Sequence, residues 1–291
     1  MIPIKKSFNM KPLVLLFSIC FIFRLIETFI IRTDQTIIQE NFIHKILGIL
    51  ILAFGLKYYS FSWNSIGFKR KSLFHGFLLG MILGLITFSI SYFIEIIILK
   101  INNTNIWLEF YSSGFSITGS TVKNTSLFLI TLPIVFNLIN SLMEEGIFRG
   151  LFLKLCLKKY SFAVSNLIQS AFFGLWHIVM TIRSYLDGDM SLNAALFMGI
   201  GYIMLSFIVG IKLGLLVKYT GALWTGFFFH TFNNSIINLL HVITPIQTDS
   251  LQIVRVMFAQ FLSLFIVWIY GVFKNKSSKF SFTSKEIQNI D

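Results

Sequence analysis

The sequence is poor in charge. Only 12% of its 291 residues are Asp, Glu, Lys or Arg, about half the ~25% of a soluble globular protein. With 55% hydrophobic residues and a mean hydropathy of +0.78, that deficit excludes an ordinary soluble domain. Cysteine is scarce as well. Cys20 and Cys156 both sit in or beside apolar runs and imply no disulfide framework. Phe17-Ser18-Ile19 before Cys20 lacks the small residues of a lipoprotein box. Only four prolines occur, and no pair of Gly/Pro-broken helices or inverted repeat of the kind transporters use is visible. No hydrophilic block is long enough to fold alone, so residues 1–291 read as a single membrane domain.

What the chain has is apolar runs near 20 residues, the length a helix needs to span a ~30 Å hydrocarbon core. The expected spans are 12–31, 42–59, 73–99, 125–145, 163–182, 191–217, 221–243 and 252–273. The fold class is all-α: a polytopic membrane protein of about eight transmembrane helices in one bundle. Lys5, Lys6 and Lys11 precede the first run, as in a signal peptide. No small-x-small cleavage site follows, and Arg24 and Glu27 interrupt the run, so it reads as a retained first helix.

A net charge of +12 invites a nucleic-acid reading, but its distribution argues against one. With both termini taken as cytoplasmic, one side collects Lys5, Lys6, Lys11, Lys57, Lys69, Arg70, Lys71, Lys154, Lys158, Lys159, Lys212, Lys218, Lys274, Lys276, Lys279 and Lys285. The other side has Arg32, Lys45, Lys100, Lys123, Arg183 and Arg255. Sixteen against six of the 24 cations is the positive-inside pattern. It explains the basic balance through membrane lipid, without nucleic acid, and places the chain in the cell membrane. Trp63 to Phe68 reads as an interfacial connection. Residues 101–124 are polar and expected on the far side, and 274–291 read as a polar, mobile tail.

Three polar islands interrupt the later apolar runs. The first is Met143-Glu144-Glu145-Gly146-Ile147-Phe148-Arg149. Charges at membrane depth cost about 2.5–3.5 kcal/mol each on insertion scales and mark functional sites by default. Glu145 and Arg149 are i,i+4 and can form an ion pair. Glu144 is rotated about 100° away and shares a stripe with Asn137 and Asn140. So Glu145 reads as neutralised and structural, and Glu144 as facing a polar interior where it can transfer protons. Two structural glutamates holding helices through Arg149 are the alternative. The second island ends at His177, with Ser170 and Gly174 on the same small, polar face. Alone, His177 is as easily a packing residue. The third is His230-Thr231-Phe232-Asn233-Asn234. His230, Asn234 and Asn238 share a face, and Asn233 points elsewhere. Alone, this is an interhelical hydrogen-bond stripe.

Depth joins them. At ~1.5 Å per residue, Glu144, His177, His230 and Asn234 each lie roughly 15–24 Å from the cytoplasmic end. A carboxylate and two imidazoles at one level can activate water, as general bases or through a metal.

Glu144-Glu145-x-x-x-Arg149, Phe173-x-x-x-His177 and His230-x-x-x-Asn234, in this order on separate helices, resemble the CPBP family. These are the CAAX-protease and bacteriocin-processing proteins, which include the Ras-converting type II CAAX prenyl endopeptidases. The resemblance covers roughly residues 125–240. It implies an intramembrane endopeptidase with an eight-helix core, acting on a membrane-associated peptide, prenylated or leader-bearing. It assigns water activation to Glu144 and His177, oxyanion stabilisation to His230 and Asn234, and support to Glu145 and Arg149. Either no cofactor or one zinc ion on Glu144, His177 and His230 fits the residue types. The absence of a His-Glu-x-x-His spacing tilts the reading to a metal-free mechanism. A cavity opening toward the cytoplasm would bring the water. The rival classes are a transporter, and a non-catalytic bacteriocin-immunity or scaffold protein on the same fold. Elsewhere, Arg24 and Glu27 are expected to pair with each other. Glu95 is expected at the interface, and His44, His75 and His241 near span ends.

Overall fold

Inside a bilayer the backbone must satisfy its own N–H and C=O groups, so apolar runs become helices. The computed structural model describes residues 10–36, 38–113 and 123–277. Lys5, Lys6, Lys279, Lys285, both termini and the polar stretch 114–122 lie outside the described residues. The helices are α1 (Lys11–Ile26), α2 (Ile43–Tyr58), α3 (Leu73–Ile101), α4 (Leu127–Glu144), α5 (Leu153–Leu157), α6 (Phe162–Trp176), α7 (Ile178–Leu186), α8 (Leu192–Thr220), α9 (Trp224–Leu239) and α10 (Gln252–Ser277). Two π-helical stretches continue them: Glu27–Ile31 after α1, and Glu145–Phe152 joining α4 to α5. Strands β1 (Trp107–Phe110) and β2 (Leu240–Ile243) pair antiparallel beyond α3 and α9.

The chain is a multi-pass membrane protein of the all-α class. Among the described residues, six helical stretches are long and apolar enough to cross a bilayer: Lys11–Gln35, Arg70–Ile101, Leu127–Leu157, Phe162–Leu186, Leu192–Thr220 and Gln252–Lys274. The other two expected spans, α2 and α9, have 16 residues each. At ~1.5 Å per residue they fall short of a ~30 Å core. The inter-helix segments gather at two opposite ends. At one, Lys154 Nζ donates to Ser65 O at 2.8 Å and Trp224 Nε1 to Lys69 O at 2.9 Å. At the other, Arg32 meets Asp187 at 3.3 Å, Arg183 meets Asp34 at 3.0 Å, and β1 pairs with β2.

Several charges expected in loops or at the interface are packed inside instead. Lys212 is buried in mid-α8, and Lys45, Arg183 and Arg255 are buried as well. Glu95 is not interfacial: it is buried and paired with Arg255 at 2.6 Å. Arg255 also holds Asp249 at 2.9 Å, and Asp249 accepts from His241 Nδ1 at 2.6 Å. Charges at a helix end are left out of the core only if no partner comes from another helix, and here the partners come from α3, α10 and the β2–α10 turn.

Close approach of α6 and α8 sets the height of His177. A Cβ on Gly174 would lie 2.8 Å from Ile203 O, and one on Gly210 would lie 2.9 Å from Ser170 Cα. Backbone cannot yield as a flexible side chain can. Small residues at such crossings are what allow membrane helices to pack tightly.

Two outcomes follow from this packing. Gly174→Leu forces α6 from α8, and a loss of about 1–3 kcal/mol or more is expected from overpacking, read as a lowered melting temperature of the purified protein. The second concerns pH. Burial pushes the Asp249 carboxyl up, but the His241 hydrogen bond and the Arg255 charge outweigh it and hold the group below its ordinary value. A depressed carboxylate adds stability above its unfolded pKa of about 3.9, and that stability is lost as pH falls through the folded value. Thermal melts from pH 6 down to 3 (roughly) should therefore show a steeper acid loss in wild type than in Asp249→Asn.

Candidate functional site

The π-helical stretch begins at Glu145, directly after Glu144 ends α4. π-turns inside helices frequently mark functional sites. Here the last α-turns put Asn137, Asn140 and Glu144 on one stripe, and all three line a cavity of about 160 Å³. Glu145 does not line it. Its Oε1 accepts from Arg149 Nη1 at 3.2 Å and from His230 Nδ1 at 2.9 Å. Both Glu145 and Arg149 are fully buried, and Arg149 stacks 3.8 Å above the Phe173 ring. The two glutamates thus have different surroundings, one the cavity and the other an ion pair.

The cavity brings the four candidate residues together: Glu144, His177, His230 and Asn234 line it. Trp176 Nε1 donates to Glu144 Oε1 at 2.8 Å. Glu144 Oε2 is buried with no hydrogen-bond partner among the described residues, and stands 3.6 Å from His230 Nε2. That gap is too long for a direct hydrogen bond and suits a bridging water. His177 closes α6, with Nδ1 at 2.8 Å from Phe173 O. A carbonyl can only accept, so Nδ1 carries the proton and Nε2 is left with its lone pair. Asn234 Oδ1 accepts from Asn233 Nδ2 at 2.7 Å. Asn233 itself does point elsewhere: it is outside the cavity and receives Gln260.

Other residues of the cavity were not legible in the motifs. Arg24, His44, Tyr202 and Arg183 also line it. Arg24 does not pair with Glu27. Its guanidinium stacks 4.4 Å from the centre of the Trp176 ring, and its Nη1 has no hydrogen-bond partner among the described residues. Glu27 is drawn instead to the start of α2, where it accepts from the backbone N–H groups of Phe42, Ile43 and His44 and meets His44 Nδ1 at 2.5 Å. A helix N-terminus has unsatisfied donors and a positive dipole end, and a carboxylate there answers both. His44 and His241 do lie near helix ends, and both are buried and bonded there.

One further expectation changes. The cavity reaches Asp34, Gln39, Glu40 and Arg183. It runs to the end where α1 and α7 finish, which is the sparsely basic end and not the one the loop count makes cytoplasmic. Glu144, His177 and His230 all line the cavity. Among the described residues no group of three His, Cys, Asp or Glu side chains is placed to hold a metal ion.

No curated protein and no solved structure matches the chain. A family model does: residues 126–236 match the one described as type II CAAX prenyl endopeptidase Rce1-like. The matched segment contains all three polar islands, and over it the chain is similar to the CAAX-protease family that those motifs resemble.

Proposed function

We propose that the protein is an intramembrane endopeptidase that hydrolyses a peptide bond of a membrane-associated substrate, prenylated or leader-bearing, in the cell membrane. The observation that carries the reading is Glu144 Oε2, a buried carboxylate oxygen without a partner among the described residues, facing a cavity shared with the His177 and His230 imidazoles. A buried charge left so is costly unless water or substrate completes it.

In this reading a water sits between Glu144 Oε2 and the histidine Nε2 atoms. Glu144 takes its proton as the oxygen attacks the scissile carbonyl, and His177 Nε2 holds the water through its lone pair. Trp176 keeps the other Glu144 oxygen occupied, so the reacting oxygen has one orientation. The tetrahedral intermediate places negative charge on the former carbonyl oxygen. His230, held at Nδ1 by Glu145, turns its Nε2 edge there, and the free Nδ2 hydrogens of Asn234 are hydrogen-bond donors to it. Glu144 then returns its proton to the departing amine. Arg149 neutralises Glu145 and leaves Glu145 able to orient His230. No step requires a metal.

The test is cleavage of a panel of membrane-delivered peptides by purified protein in lipid. Glu144→Gln and His177→Ala should lose at least about 10²–10³ of kcat, with a chelator leaving wild type unchanged. Loss on chelation and recovery with zinc would replace the metal-free chemistry. Trp176→Phe keeps the ring under Arg24 and removes only the N–H donor. A drop of about tenfold in kcat is expected there, the scale of one charge-assisted hydrogen bond. Wild type that cleaves nothing in any lipid would overturn the reading.

A further inference from the structure

A polar chain reaches the third island from α8 and α10, which carry none of the three motifs. It starts at Lys212 on α8, fully buried. Lys212 Nζ donates to Gln260 Oε1 at 2.5 Å and to Ser263 Oγ at 2.8 Å, both on α10. It lies 4.2 Å from the centre of the Phe229 ring. Ser263 directs its own hydrogen to Gln260 O at 2.9 Å, so toward Lys212 it accepts.

The direction of every later bond follows from this start. Lys212 Nζ donates to Gln260, so the Gln260 atom facing it is the oxygen. Gln260 Nε2 is then turned to Asn233 and donates to its Oδ1 at 2.6 Å. That leaves Asn233 with its nitrogen toward Asn234, where Nδ2 donates to Oδ1 at 2.7 Å. Asn234 thus has its oxygen occupied, and its N–H groups are the end left for the cavity.

We propose that Lys212 and Gln260 are positioning residues which, through Asn233, set the donor end of the Asn234 amide toward the reacting centre. The inference rests on the endopeptidase reading above. The two ends of a side-chain amide are nearly the same shape, so packing alone does not choose between them. Reversed, Asn234 meets the oxyanion with its own carbonyl oxygen, and attraction becomes repulsion. Gln260 lies outside the segment that matches the family model.

Gln260→Glu separates this from a structural role. It gives Lys212 a counter-ion, so a merely structural role predicts an equal or higher melting temperature and unchanged cleavage. An ionised carboxylate cannot donate to Asn233. Asn233 turns its nitrogen to the introduced carboxylate, its oxygen faces Asn234, and the Asn234 amide reverses. The expected result is a kcat lowered about 10²-fold or more, with KM within about threefold, in a protein that melts at or above the wild-type temperature. In an Asn234→Ala background the same change should lower kcat no further. Wild-type kcat in Gln260→Glu, or an undiminished loss in that background, overturns the relay and leaves the endopeptidase reading standing. If Gln260→Glu fails to fold, Gln260→Met replaces it, since it also leaves Asn233 without a donor; additivity with Asn234→Ala overturns the relay there too. A readout without cleavage separates the two claims. In Gln260→Glu, Asn234→Asp sets two oxygens against each other, so the double variant should melt well below the sum of the two single shifts. If wild type cleaves no peptide, the endopeptidase reading fails. The melting shifts then decide the relay: non-additive shifts sustain it and additive ones overturn it.

Discussion

Burying two adjacent carboxylates inside an apolar bundle is the constraint that organises this protein. Neither Glu144 nor Glu145 can sit there without compensation. Glu145 takes a permanent counter-ion from its own helix in Arg149 and a neighbour from α9 in His230. Glu144 receives one hydrogen bond, from Trp176, and keeps an oxygen open. The packing of the π-helical stretch, α6 and α9 follows from that requirement, since each supplies one of those partners.

The same rule recurs throughout the bundle. Glu27 binds the first amides of α2, and Glu95 and Asp249 share Arg255. In each case the partner comes from a different element, so polar contacts fix which helices are neighbours. In lipid, where apolar surface gives no preference between one neighbour and another, this specificity matters more than it does in water.

Much of the site could be read from residues because it depends on local helical geometry. Glu144 with Asn137 and Asn140, and Glu145 with Arg149, lie on α-helical spacing or one turn beyond it. The common depth of His177 and His230 follows from helix rise. What could not be read was pairing across helices. Spacing put Arg24 beside Glu27, but the amides at the start of α2 compete for the carboxylate and win. The loop count places Lys212 on the basic side although it falls inside the expected span 191–217, and spacing along the chain shows no partner for it. Its partners, Gln260 and Ser263, lie about fifty positions along the chain. The side on which the cavity opens was not legible either, because loop charge reports orientation and not which loops leave a gap.

The π-helical stretch from Glu145 to Phe152 separates two helical registers. Before it, the residues of α4 are set against α9; after it, α5 packs with α6. In a straight α-helix each residue turns the next by about 100°, so both alignments would have to be met by one continuous stripe. The wider turn lets the chain keep both, much as a splice allows two threads of different pitch to share a bolt. The acidic pair stands at the splice, so its geometry is fixed from both sides and neither helix can slip without the other.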